Sequence, residues 1–137
     1  MKEPLVESLM RRTVVTTTPT EFLAGAHALM EREGVHQLPV IENGGLVGIL
    51  SERDLHAHTG YWERTKVDAA MTWNPITVAQ TETARHAAHL LIEKSINAVP
   101  VIEDGRLAGI VSRTDLLQLL ERLLSETSNV HGSMSTV

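Results

Sequence analysis

The chain has 137 residues, 42% hydrophobic but only 3% aromatic, so any core must be built from aliphatic side chains and alanine. A formal charge of −5 argues against nonspecific nucleic-acid binding, and the absence of cysteine excludes disulfides, thiol catalysis and cysteine-based zinc sites. No apolar run approaches the roughly 18 residues of a membrane span, and Met1-Lys2-Glu3-Pro4 does not open a signal peptide, so the expectation is a cytoplasmic protein with neither nucleic-acid nor membrane partners.

In chain order, Val14-Val15-Thr16-Thr17 predicts a short strand. Thr18, Pro19 and Glu21 then fit the N-cap, N1 and N3 positions of a helix, a capping box with a well-placed proline. Leu23, Ala26, Leu29 and Met30 give that helix an apolar stripe. Leu38–Glu42 and Leu46–Leu50, separated by Asn43-Gly44-Gly45, read as a β-hairpin. Pro39 cannot donate to a ladder and is expected at an edge or bulge. A second helix begins at Ser51, with Asp54 at its N3 position.

The pattern then starts again. Shifting the sequence by 61 places Val6–Leu55 on Val67–Leu116 without a gap, with 18 identities in 50 columns. Eleven of these fall between Pro39–Leu55 and Pro100–Leu116. The organisation is therefore a repeat at residues 6–58, a linker at 59–66, a second repeat at 67–124, and a tail at 125–137 whose Ser, Thr, Gly and Asn content predicts mobility. In the second repeat Ile76-Thr77-Val78 is the first strand, Ala84, Ala87, Ala88 and Leu91 form the helix stripe, and Val99–Glu103 with Leu107–Val111 form the hairpin. The last helix carries Leu116, Leu117, Leu119, Leu120, Leu123 and Leu124, too many for one narrow stripe. A single β-α-β-β-α unit is too small to cover its own apolar faces. The expected fold is α/β (mixed α+β), with two such repeats packed by pseudo-twofold symmetry and the spare leucines buried in a homodimer.

The segments Leu38-Pro39-Val40-Ile41-Glu42, Gly44 and Gly48-Ile49-Leu50-Ser51-Glu52-Arg53-Asp54-Leu55, repeated as Val99–Glu103, Gly105 and Gly109–Leu116, resemble the cystathionine-β-synthase (CBS) domain in its stand-alone tandem form, the Bateman module. The resemblance covers Val6–Leu124 and implies two clefts between the repeats that bind adenine nucleotides or S-adenosylmethionine in many relatives. It implies that Ser51 and Asp54, with Ser112 and Asp115, contact phosphate and ribose. The chemistry agrees, because a serine hydroxyl can donate to phosphate and a carboxylate can accept from two ribose hydroxyls. The same Ser-x-x-Asp spacing is also what a plain helix capping box requires. By the family pattern, one cleft combines His36, Ile49, Ser51, Arg53 and Asp54 with Ile76, Thr77 and Ile96. The other combines Ile110, Ser112, Thr114 and Asp115 with Val15, Thr16 and Val35, with His36 as an optional member. The apolar members would sandwich a base, or simply be core. Arg53 and His36 face Thr114 and Asn97 at the matching positions, so the first cleft is expected to be the better phosphate site. Gly48 and Gly109 permit a close backbone approach or a strand kink.

Other chemistry finds little support. His86 and His89 share a helix and His56 and His58 flank Ala57, but neither pair has a well-spaced third metal ligand. Neither Ser51 nor Ser112 has a paired base, and no glycine-rich phosphate loop occurs. Trp73 reads as packing and not as a stacking platform. The expectation is a non-enzymatic sensor that requires no cofactor, takes AMP, ADP, ATP or S-adenosylmethionine as ligand, and acts on an effector protein in trans. The alternative is a structural dimerisation module with empty clefts.

Overall fold

The computed structural model describes residues 2–130. In chain order the elements are a 3₁₀ turn at Val6–Ser8, α1 (Leu23–Glu33), β1 (Gln37–Glu42), β2 (Gly45–Ser51), α2 (Glu52–His56), α3 (Val67–Ala70), β3 (Thr72–Trp73), β4 (Val78–Ala79), α4 (Ala84–Glu93), β5 (Ala98–Glu103), β6 (Arg106–Ser112) and α5 (Arg113–Val130). This is the expected mixed α/β architecture, and none of the described helices is long and apolar enough to cross a membrane.

The hairpins follow from local chemistry. Glu42 pairs with Gly45 across Asn43-Gly44, whose φ angles are both positive at 52° and 79°. Two successive left-handed residues make the turn whose twist matches antiparallel strands, and Asn-Gly is its preferred dipeptide. Asp104-Gly105 repeats it at 51° and 76° between β5 and β6. Pro39 stands next to a bulge between Val40 and Ile41. Its carbonyl accepts from the Thr17 N–H at 3.0 Å, so its missing N–H lies on the side away from β2 and costs that pairing nothing.

The first strand of each unit is shorter than expected. Only Thr17 joins the ladder in the first repeat, as a parallel bridge to Val40, and Val14–Thr16 stay outside it. In the second repeat β4 supplies two residues, pairing Val78 with Val101 and Ala79 with Ile102. The expected capping box at Thr18 and Glu21 does not form. Helix α1 starts at Leu23, with Phe22 at the N-cap and no side-chain bond. Its first amides are instead taken by the linker, with the Leu23 N–H donating to Thr65 O at 2.8 Å and the Ala24 N–H to Trp62 O at 3.0 Å. The matching helix α4 is capped by Thr83, whose hydroxyl accepts from the His86 N–H at 3.1 Å.

Neither sheet is made by one repeat alone. Strand β3, from the start of the second repeat, extends the β1-β2 sheet, with Thr72 opposite Ile49. Reciprocally, Arg11 pairs with Ile110 of β6, with bonds of 2.9 and 3.0 Å in both directions. The shift of 61 carries one crossover onto the other, which is the pseudo-twofold relation in backbone form. The cores follow suit. Val67 and Met71 complete the cluster of Leu23, Ala26, Met30, Leu38, Val40, Leu50 and Leu55. Val6 and Met10 complete that of Val78, Ala87, Leu91, Val99, Val101 and Val111. Gly48 and Gly109 sit at these crossovers. A Cβ on Gly109 would lie 2.7 Å from Arg11 O, and one on Gly48 would lie 2.9 Å from Thr72 O and against Met71 Sδ. Close backbone approach is therefore their purpose.

Helix α5 runs to Val130, into the segment expected to be a tail; residues 131–137 of that segment lie outside the described residues. Leu116 packs on the second core, while Leu117, Leu120 and Leu124 are exposed. Trp73 does not pack as expected. It is exposed by about half (54%), with its Nε1–H donating to Asp68 O at 3.1 Å.

Candidate functional site

Both Ser-x-x-Asp motifs form complete capping boxes. At the first, the Asp54 N–H donates to Ser51 Oγ at 3.3 Å, while the Ser51 N–H and hydroxyl donate to Asp54 Oδ2 at 2.8 and 3.1 Å. At the second, the corresponding bonds between Asp115 and Ser112 measure 3.2, 2.8 and 3.0 Å. The structural reading of the motif is thus satisfied, and it uses one carboxylate oxygen of each aspartate. The other oxygen decides what the motif can still do.

The two boxes flank one continuous cleft of about 670 Å³ between the repeats. Its wall includes twelve of the fifteen residues expected there: Val15, Val35, His36, Ile49, Ser51, Arg53, Asp54, Ile76, Ile96, Ile110, Ser112 and Thr114. Both repeats contribute, and the isoleucines give it apolar surface next to the polar motifs. Thr16 and Thr77 are not on the wall. Each lies exposed between a residue that lines the cleft, Val15 or Ile76, and one that is buried, Thr17 or Val78.

Asp115 is also off the wall, at 7% exposure, and it is bonded to a residue that the sequence pattern does not single out. Arg11, delivered by the first crossover, places Nε 3.3 Å from Asp115 Oδ1. Its twin at the shift of 61 is Thr72, so no cation reaches Asp54 in this way. Among the described residues, Asp54 Oδ1 keeps no intramolecular partner. The alignment of Arg11 with Thr72 was a signal of asymmetry, but nothing local linked Arg11 to an aspartate far along the chain.

The charges on the wall also differ from expectation. His36 Nδ1 is hydrogen-bonded to Glu52 Oε1 at 2.8 Å, so an acidic group stands beside it. Arg113 occupies the place of Glu52 in the second repeat and donates from Nε to Ile96 O at 3.2 Å. Beside Arg53 and His36, on which the expectation of a better first phosphate site rests, the wall also carries Glu52, while Arg11 and Arg113 line it near the second motif. His86 and His89 pair with Glu82 and Glu93 along α4.

Two copies of one unit, each completing the other's core and sharing one cleft, define a pseudo-symmetric module with a partly polar cleft between its repeats. The chain belongs to the CBS domain family: the family model matches residues 6–58 and 67–122. It is 32% identical to a CBS domain-containing protein of Dictyostelium discoideum, over 88% of this chain and 93% of that one. It is also 36% identical to the inosine-5′-monophosphate dehydrogenase of Korarchaeum cryptofilum, but spans only 23% of that enzyme. Among solved structures it resembles a CBS domain pair in complex with 5′-methylthioadenosine and S-adenosyl-L-methionine, with a TM-score of 0.81 and 25% identity over 88% of this chain and 98% of that one. CBSX2 in complex with AMP gives a TM-score of 0.79 and 27% identity, over 88% and 98% of the two chains.

Proposed function

We propose that this CBS pair is a non-enzymatic sensor that binds an adenine nucleotide in the cleft between its repeats and passes the bound state to a partner protein in the cytoplasm. The observation that carries the reading is Asp54. Its Oδ2 is spent on the capping box, while Oδ1 makes no hydrogen bond among the described residues, and the same cleft wall carries Ser51, Arg53 and the apolar Ile76. A carboxylate held rigid by its own helix start can accept from ribose hydroxyls without reorganising, and the isoleucines offer apolar faces for a base. The relatives solved with AMP, 5′-methylthioadenosine and S-adenosyl-L-methionine support the ligand class. A thermal-shift panel of AMP, ADP, ATP and S-adenosylmethionine tests it. A ligand present at 100 times its Kd stabilises by about 2.7 kcal/mol. No shift with any of the four would leave the empty-cleft dimerisation reading in its place.

The same reading includes a homodimer. Leu117, Leu120 and Leu124 recur along one side of α5 with exposures of 65%, 50% and 60%, a face that a second copy would cover. Sedimentation equilibrium at micromolar concentration tests this, and a 15.1 kDa monomer would reject it.

A further inference from the structure

The two Ser-x-x-Asp motifs have the same internal bonds but opposite states at their second carboxylate oxygen. Asp54 lines the cleft, and its Oδ1 makes no hydrogen bond among the described residues. Asp115 Oδ1 is held by Arg11 Nε, and Asp115 is withdrawn from the wall beneath it. Arg11 itself lines the cleft and is half exposed. Its Nη groups make no hydrogen bond among the described residues, so they remain available as donors. From this we infer that Arg11 is a specificity-determining residue, which makes the second motif select nucleotides that carry a phosphate over nucleosides that do not.

A nucleoside brings only its ribose hydroxyls to Asp115. These must compete with a charge-assisted bond that is already formed, and displacing the guanidinium would leave it without its carboxylate. A 5′-phosphate offers the guanidinium a second anion, so the ligand engages Arg11 instead of evicting it, through Nη donors suited to phosphate geometry. The first motif has Thr72 in this position and imposes no such demand. The backbone of Arg11 is fixed by its bridge to Ile110 regardless of side chain, so exchanging the side chain leaves the crossover in place.

This inference rests on the adenine-nucleotide reading, and the test separates the two. Adenosine and AMP are titrated calorimetrically into the wild type, Arg11→Thr and Thr72→Arg. The wild type is expected to bind adenosine in two unequal steps, about tenfold or more apart, with AMP narrowing the gap. Arg11→Thr should bring the two adenosine steps together, and Thr72→Arg should weaken the stronger one while sparing AMP. Adenosine steps as far apart in Arg11→Thr as in the wild type, or two equal steps in the wild type, would overturn the role of Arg11 and leave nucleotide binding intact. A wild type that binds neither compound would overturn the nucleotide reading itself, and this inference with it.

Discussion

Around Ser51 the cleft wall carries Glu52, Arg53 and His36; around Ser112 the same places hold Arg113, Thr114 and Asn97, and Arg11 reaches in from the other repeat. The frame beneath is common to both, down to capping-box bonds that agree within about a tenth of an ångström. The side chains with a structural duty, serine, aspartate and the crossover glycine, are identical in the two copies. The charges around them are not. Breaking the common frame should therefore damage both halves alike, and altering the charges should affect them separately.

The largest effect is expected at the frame. Gly109→Ala pushes a Cβ to 2.7 Å from the backbone oxygen of Arg11, and Gly48→Ala to 2.9 Å from that of Thr72. Backbone oxygens in a paired crossover cannot move aside as a side-chain tip can. Each variant should lose about 1–3 kcal/mol, the usual cost of overpacking, in urea titrations. A neutral result at both would mean that the crossovers are not closely paired in solution.

The aspartates come next, and here the halves should diverge. Asp54→Ala removes the carboxylate half of its capping box and should cost about 0.5–2 kcal/mol. Asp115→Ala removes the same half and also the bond to Arg11. Arg11 is half exposed, so water recovers part of that loss, and about 0.5 kcal/mol beyond the loss at Asp54→Ala is expected. Equal losses by thermal denaturation would show that the Arg11 contact adds nothing to the folded state.

These asymmetries also mark what the sequence could reveal. The hairpins were legible because Asn43-Gly44 and Asp104-Gly105 need only their own φ angles. The capping boxes were legible because their partners stand three residues apart. The start of α1 was misread because its first amides bond to Thr65 and Trp62, outside any local window, whereas Thr18-Pro19-x-Glu21 offers a local solution that the tertiary fold does not use. Twelve of the fifteen residues that the family resemblance implied do line the cleft. Arg11 was not, because its contact joins residues 104 positions apart. The ownership of the cores was hidden for the same reason: Met10 and Met71 align as equivalent, and nothing in that alignment says that each serves the other repeat.

The halves differ also in their last helix, 5 residues in α2 against 18 in α5. The added turns carry the exposed Leu120 and Leu124, and Leu117 stands in the place of His56. Leu120→Glu should raise the dimer dissociation constant by about tenfold or more, the cost of burying an unpaired charge of at least 1.4 kcal/mol. Monomer stability should stay within about 0.5 kcal/mol, as at other exposed positions. Sedimentation velocity over a concentration series would read both the shift and its absence.

The smallest effect should come from the charge that follows each serine. Glu52 and Arg113 are twins, one acidic and bonded to His36, the other basic and bonded to Ile96 O. Glu52 is half exposed, so its influence on a phosphate passes largely through water and counter-ions. Glu52→Arg removes a like charge from the wall near Ser51, supplies a cation and frees His36. The affinity of that half for AMP should rise by about three- to fivefold at low salt, in line with the energies of exposed charge pairs. Adenosine, which has no phosphate, should bind unchanged. Arg113→Glu should produce the reverse in the other half. Raising the salt from about 50 to 300 mM shortens the screening length and should erase most of both changes. An equal gain for adenosine and AMP would show that Glu52 acts by shape or by holding His36, and that the charge difference between the halves has no part in phosphate selection.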